Sequence, residues 1–239
     1  MTTLRGATAG AFTSNARTLT LPAGTVAGDI AVLFAFDGWN TPVISTITGW
    51  TSVTWDTGAG VGLRAYKTLT SADITAGSVT VTWNSSYGGY AALATVSATV
   101  GMQVMAYSLS TSNGDTGTGR TLANLVGQNG DTALWWAFKR KDGSTPAVSL
   151  SRGTPVDTSS VANVAGAFST EALTTQALVD ASSTVTSGGQ VDGLIGVIVS
   201  DSPLPGAVDT DLEFAATPTS TALLYKGRST ATDDAAGVP

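Results

Sequence analysis

Strict alternation of apolar and polar residues constrains this chain more than any other feature. In Ser78-Val79-Thr80-Val81-Thr82-Trp83 the apolar side chains fall on every second position. Successive strand residues point to opposite faces, so Val79, Val81 and Trp83 share one face. Arg17-Thr18-Leu19-Thr20-Leu21 alternates and stops at Pro22, and Leu63 to Lys67 alternates too. Val53 and Trp55 take alternate places in Thr51 to Trp55. Tyr90 to Val96 and Met102 to Tyr107 are further apolar segments. Ile30 to Phe36 is a continuous apolar run, which suits a strand buried on both faces. Gly, Pro, Asn and Asp punctuate these runs, as turns require. The expected fold class is all-β.

Composition agrees. Charged residues make up 12% of the chain, where soluble proteins average about 25%. Thr, Ser, Gly and Ala replace them, and Thr suits a pleated, half-exposed surface. The net charge is −6 with only 11 Lys and Arg. Binding nucleic acid through phosphates needs clustered cations. The densest cluster, Lys139-Arg140-Lys141, reads as a solvated loop between strands. No partner role for nucleic acid is expected. With no Cys and no His, disulfides, Cys/His zinc sites and His-based triads are excluded. Met1 to Ala16 has one Arg and no apolar run, which is not the pattern of a signal peptide. Membrane insertion is not expected, and release from a cell would come by lysis or within a particle.

The chain repeats itself. Gly130 to Phe138 matches Gly28 to Phe36 with five identical positions. Around this match the order of features is kept. Arg120-Thr121-Leu122 parallels Arg17-Thr18-Leu19, and Thr145 to Ser149 parallels Thr41 to Ser45. Ala167-Phe168 falls where Ala65-Tyr66 lies, and Leu194 and Val197 follow Leu93 and Val96. This divides the chain into an N-terminal arm (1–16), a first β half (17–110), a linker (111–119), a second β half (120–200) and an extended C-terminal arm (201–239). Two such halves can build one pseudo-symmetric jelly-roll-like sandwich or two small sandwiches side by side. One body is expected, because neither half alone shows enough strands to cover both faces of a core.

The C-terminal arm mixes Pro203, Pro205, Pro218 and Pro239 with Ser, Thr, Ala and Asp. Its Leu212, Phe214, Leu223, Leu224 and Tyr225 are too apolar for a solvated linker. They either dock on a neighbouring subunit or pack on their own sandwich.

Leu21-Pro22-Ala23-Gly24-Thr25-Val26-Ala27-Gly28-Asp29, the buried strand after it, the Thr48-Gly49-Trp50 turn, the Leu63 to Lys67 strand and the Ser78 to Trp83 strand form a series. This series resembles a β-sandwich module of tailed-bacteriophage virion proteins: minor tail, fibre, head-decoration or spike proteins. The resemblance spans roughly residues 16 to 200. In the second half Arg152 and Gly153 stand where Gly49 and Trp50 stand in the first. The resemblance implies a structural role on a particle, other virion proteins as partners, a homo-oligomer, and location in the virion after synthesis in the host cytoplasm. It carries over no catalytic residue.

Candidate chemistry is sparse. Asp29 and Asp131 each follow Gly and precede a buried strand. They could be paired carboxylates, but recurrence in both halves favours Asx-type turns. Asp201, Asp209, Asp211 and Glu213 are the densest acidic stretch. They lack the spacing of a calcium loop, and no metal or other cofactor is expected. Gly58 to Gly62 lacks the Lys and Ser/Thr of a phosphate loop. None of the 17 acidic residues sits in the constrained pair a glycosidase needs. The chain is therefore expected not to be an enzyme. Of the six Trp, at positions 39, 50, 55, 83, 135 and 136, Trp83 and one of Trp135 and Trp136 read as core. Trp39, Tyr87 and Tyr90 are the expected exposed aromatics, suited to stacking on a sugar of a host surface glycan. The leading expectation is a structural virion component, and the alternative is a carbohydrate-binding module.

Overall fold

A computed structural model describes residues 1–38, 44–57, 60–84, 88–97, 101–109, 119–175, 177–185, 191–201 and 222–225. The first repeat contains β1 (Thr3–Phe12), β2 (Ala16–Thr20), β3 (Ile30–Asp37), β4 (Thr51–Asp56), β5 (Val61–Thr68), the helix α1 (Ser71–Ala76), β6 (Ser78–Thr82) and β7 (Gly89–Ser97). The second contains β8 (Gly101–Leu109), β9 (Thr121–Gly127), β10 (Thr132–Arg140), β11 (Val148–Leu150), β12 (Thr154–Val161), β13 (Val164–Ala172), β14 (Ala177–Val185) and β15 (Val191–Ser200). A last strand, β16 (Ala222–Tyr225), follows.

The two halves share one strand order, with β11 matched in the first half only by an isolated bridge at Ile44. The large sheet of the first half has the order β1-β7-β3-β5-β4. The large sheet of the second has β8-β15-β10-β13-β12, with β16 added beside β8. The small sheets match as well. β2 pairs with β6, and Ile44 bridges Trp83 beyond it. In the second half β9 pairs with β14, and β14 with β11 through Val148. In each half the first strand pairs with the last, the second with the second-last, and the third with the second strand of the hairpin. This is the wrapping of a jelly roll.

The all-β sandwich is therefore correct, but each repeat builds a jelly roll of its own. The two halves form one body of four layers: small sheet, large sheet, large sheet, small sheet. Between the large sheets lie Val32, Phe34, Phe36, Tyr90 and Ala92 of one half and Leu134, Trp136, Phe138, Phe168 and Ile195 of the other. The other face of each large sheet packs on its own small sheet, through Leu33, Leu93 and Val81 in one half and Trp135, Leu125 and Val179 in the other. Every residue of β3, β10 and β15 is consequently buried. That accounts for the unbroken apolar run in β3, and for burial of both Trp135 and Trp136 on opposite faces.

Across the seam, repeat counterparts meet. Phe34 stacks on Trp136 with ring centroids 5.5 Å apart. Phe36 stacks on Phe138 at 4.1 Å. A pseudo-two-fold axis between the large sheets brings equivalent side chains together in this way. Each such pair contributes about 0.5–1.5 kcal/mol beyond its buried area.

Two boundaries and one set of repeat matches need correction. Residues 3–12 are not an arm: β1 is the edge strand of the first large sheet, paired with β7 throughout. β8 belongs to the second half, because it pairs with β15. The halves thus divide before Gly101, not at residues 111–119. The later repeat matches also slip by two. Phe168 lies opposite Trp136 as Arg64 lies opposite Phe34, so Phe168 takes the place of Arg64 and not of Tyr66. A slip of two keeps every side chain on its face, which is why the pattern remained readable.

Candidate functional site

The Gly-Asp pairs are turn devices. Gly28 and Gly130 have φ of 97° and 90°, a region that side chains rarely adopt. The Asp29 carboxylate accepts the Val26 N–H at 2.9 Å, and the Asp131 carboxylate accepts that of Gln128 at 2.8 Å. In both halves the backbone is then tied to a leucine. Leu69 N–H donates to the Asp29 carbonyl and Leu173 N–H to that of Asp131, each at 2.8 Å. Arg5 adds an ion pair to Asp29 at 3.2 Å. These groups fix strand entry in both halves.

The three candidate glycan contacts do not come together. Trp39 and Tyr87 lie outside the described residues. Tyr90 is fully buried, which corrects the expectation that it is exposed. It occupies an inward position of β7, its ring rests against Gly166, and its hydroxyl lies 3.4 Å from the Asp157 carbonyl. Burial pushes its phenol pKa up. The Gly-rich loop before it suggested exposure, but the alternation from Gly89 onward decides its place.

Of the apolar residues in the C-terminal segment, Leu212 and Phe214 lie outside the described residues. Leu223, Leu224 and Tyr225 belong to β16, opposite Ala106, Met105 and Val104 of β8. That segment joins the sheet of its own chain as an added strand. Asp201 accepts the N-terminal ammonium of Met1 at 2.6 Å. Asp209, Asp211 and Glu213 lie outside the described residues. Among the described residues no group of three acidic side chains could hold a metal ion.

Lys139-Arg140-Lys141 is not a solvated loop. Lys139 and Arg140 end β10, and both are buried. Arg140 turns toward the seam and reaches Asp142 at 2.9 Å. Lys139 turns the other way, and burial lowers its pKa. It lies opposite Asp192, whose carboxylate accepts both Arg120 Nε at 2.9 Å and a terminal nitrogen at 2.7 Å. Arg64 is buried with its guanidinium 5.4 Å from the Tyr107 ring centre, and burial lowers its pKa to about 9. It stays a cation at neutral pH.

An open groove of about 200 Å³ lies on the first half, lined by Leu21, Ile47, Trp50, Leu69, Asp73, Ser78, Val79 and Thr80. Thr70 and Asp73 form a capping box that starts α1, and Gly77 ends it. Lys67 donates to Asp73 at 2.7 Å, and this bond with those from Thr70 lowers the Asp73 pKa to about 2. Among the described residues the second half has no helix here. Arg152 and Glu171 pair instead at 2.6 Å, and Trp135 Nε1 donates to Glu171 at 3.1 Å. The groove is thus a specialisation of one repeat. The sequence signal for it was the Thr-x-x-Asp cap beside Trp50.

No family model, curated protein or solved structure matches the chain.

Proposed function

We propose that the chain is a non-enzymatic structural component of a bacteriophage virion. It is displayed on the particle, as a head decoration or a tail- or fibre-associated protein, and assembles through subunit contacts. The phage assignment rests on the resemblance of residues 16–200. The observation that carries the assembly role is β16, a C-terminal strand seated on the edge of a large sheet. Strand addition of this kind holds separate chains together through backbone hydrogen bonds. Twenty residues separate Asp201 from Ala222, enough to reach about 65 Å when extended. The same strand can therefore seat on β8 of its own chain or of a neighbour, an exchange that costs little.

The surface supports this mechanism over apolar docking. Among the described residues, the large apolar side chains that stand exposed are Met1 and Val26. Contacts between copies then fall to backbone edges and to the C-terminal segment. A chain ending at Asp201 should keep its β circular dichroism and join particles or oligomers at least tenfold less well. Undiminished assembly of that chain would sink the role given to the segment.

Glycan recognition keeps one observation in its favour, the groove beside Trp50. An indole with a carboxylate and two hydroxyls nearby can stack on a sugar and bond its hydroxyl groups. Saturation-transfer NMR with N-acetylglucosamine and galactose oligosaccharides should show contacts that Trp50→Ala abolishes. Absence of signal, or signal unchanged by that substitution, removes this reading.

A further inference from the structure

Open sheet edges carry unpaired backbone donors and acceptors, and proteins protect them with bulges, proline, lysine, short strands or a cover. Three of the four ends of the two large sheets are protected. β1 has a register shift between Leu4 and Gly6, and its Ala11 N–H donates to the Ser159 hydroxyl of β12 at 2.9 Å. β12 contains Pro155 and shifts register between Pro155 and Asp157. β8 is covered by β16, which is itself only four residues long.

Among the described residues β4 has no bulge, proline, lysine or covering strand, and its one charge is the terminal Asp56. It ends the first large sheet, and among the described residues no strand pairs on its outer side. All six of its residues pair with β5 without a register shift. Its sequence, Thr-Ser-Val-Thr-Trp-Asp, has no proline and no lysine. Thr51, Thr54 and Asp56 are exposed.

We propose that β4 is a subunit interface, and that its occupant is β4 of a second copy, paired antiparallel about a two-fold axis. The proposal deepens the assembly reading and names one contact in it. A two-fold axis normal to a sheet keeps each side chain on its face. Facing residues must share a face, so some residue has to lie opposite its own counterpart. With Thr54 at the axis, Val53 lies opposite Trp55 of the other copy, and Ser52 opposite its Asp56. Every pair is compatible: two hydroxyls at the centre, an aliphatic–aromatic pair twice, and a hydroxyl–carboxylate pair twice. No like charges face each other. The Trp55 ring lies 6.3 and 6.4 Å, centroid to centroid, from those of Trp136 and Phe138, so one face of β4 is packed on the seam. The two five-stranded sheets would become one sheet of ten.

The chain has no cysteine, so a single introduced thiol reports the pairing without background. Thr54→Cys should cross-link into a covalent dimer under mild oxidation. The control is Thr158→Cys, at an exposed site on the protected β12 edge, and it should remain monomeric. A covalent bond accumulates even from a weak equilibrium, so low affinity does not hide the contact. Circular dichroism of both reduced variants checks that they fold as the wild type does. Cross-linking of Thr54→Cys no greater than that of the control overturns the β4 pairing. If the wild-type chain is nonetheless oligomeric by light scattering, only this contact fails. If it is monomeric as well, the assembly reading fails with it.

Discussion

Glu171 shows how a single residue is tuned by its half. Its carboxylate takes two bonds from Arg152, at 2.6 and 3.0 Å, and one from Trp135 Nε1. The Arg152 bonds come first in holding its pKa below the usual carboxylate value. A carboxylate whose pKa is lower folded than unfolded stabilises the fold above the unfolded value. That stabilisation is lost as pH falls through the folded value. Between about pH 5 and pH 3, wild-type stability should therefore fall more steeply than that of Glu171→Gln. Urea unfolding at several pH values measures this, and parallel curves would contradict it. Position 171 was opaque in the sequence because its repeat counterpart is a lysine, Lys67, which pairs in turn with Asp73. The ion pair is kept in both halves while its charges are rearranged, so no residue match reveals it.

At the scale of elements, legibility followed contrast. β3, β6 and β10 stood out because large apolar residues alternate or run on between turns. β1 did not, because Thr-Leu-Arg-Gly-Ala-Thr-Ala-Gly-Ala-Phe offers mostly small side chains. Small residues fill its place, since Ala7, Ala9 and Ala11 pack against the core between the large sheets. Missing β1 made the first half look short of strands, and that led to the expectation of one shared sandwich. α1 was hidden for a related reason: no residue of this six-residue helix is buried. Only its capping box marks it, with Asp where Glu is commoner. The candidate site suffered most. Tyr90 sits beside glycines that suggest a loop, yet Gly166 is there to admit its ring. Only the partner strand shows that.

At the scale of the molecule, duplication decides what surface remains for function. Stacking the large sheets face to face hides four aromatic rings in two stacked pairs and leaves little apolar surface outside. The charge-poor exterior adds little repulsion between copies. We assign association to backbone: the β4 edge and the C-terminal strand. We propose that this chain works by joining others through those strands. Light scattering of the purified full-length chain, over a range of concentrations, tests it most directly. Masses at whole multiples of 24.0 kDa are expected, with the dimer present at high concentration. A single species of 24.0 kDa at every concentration would contradict it.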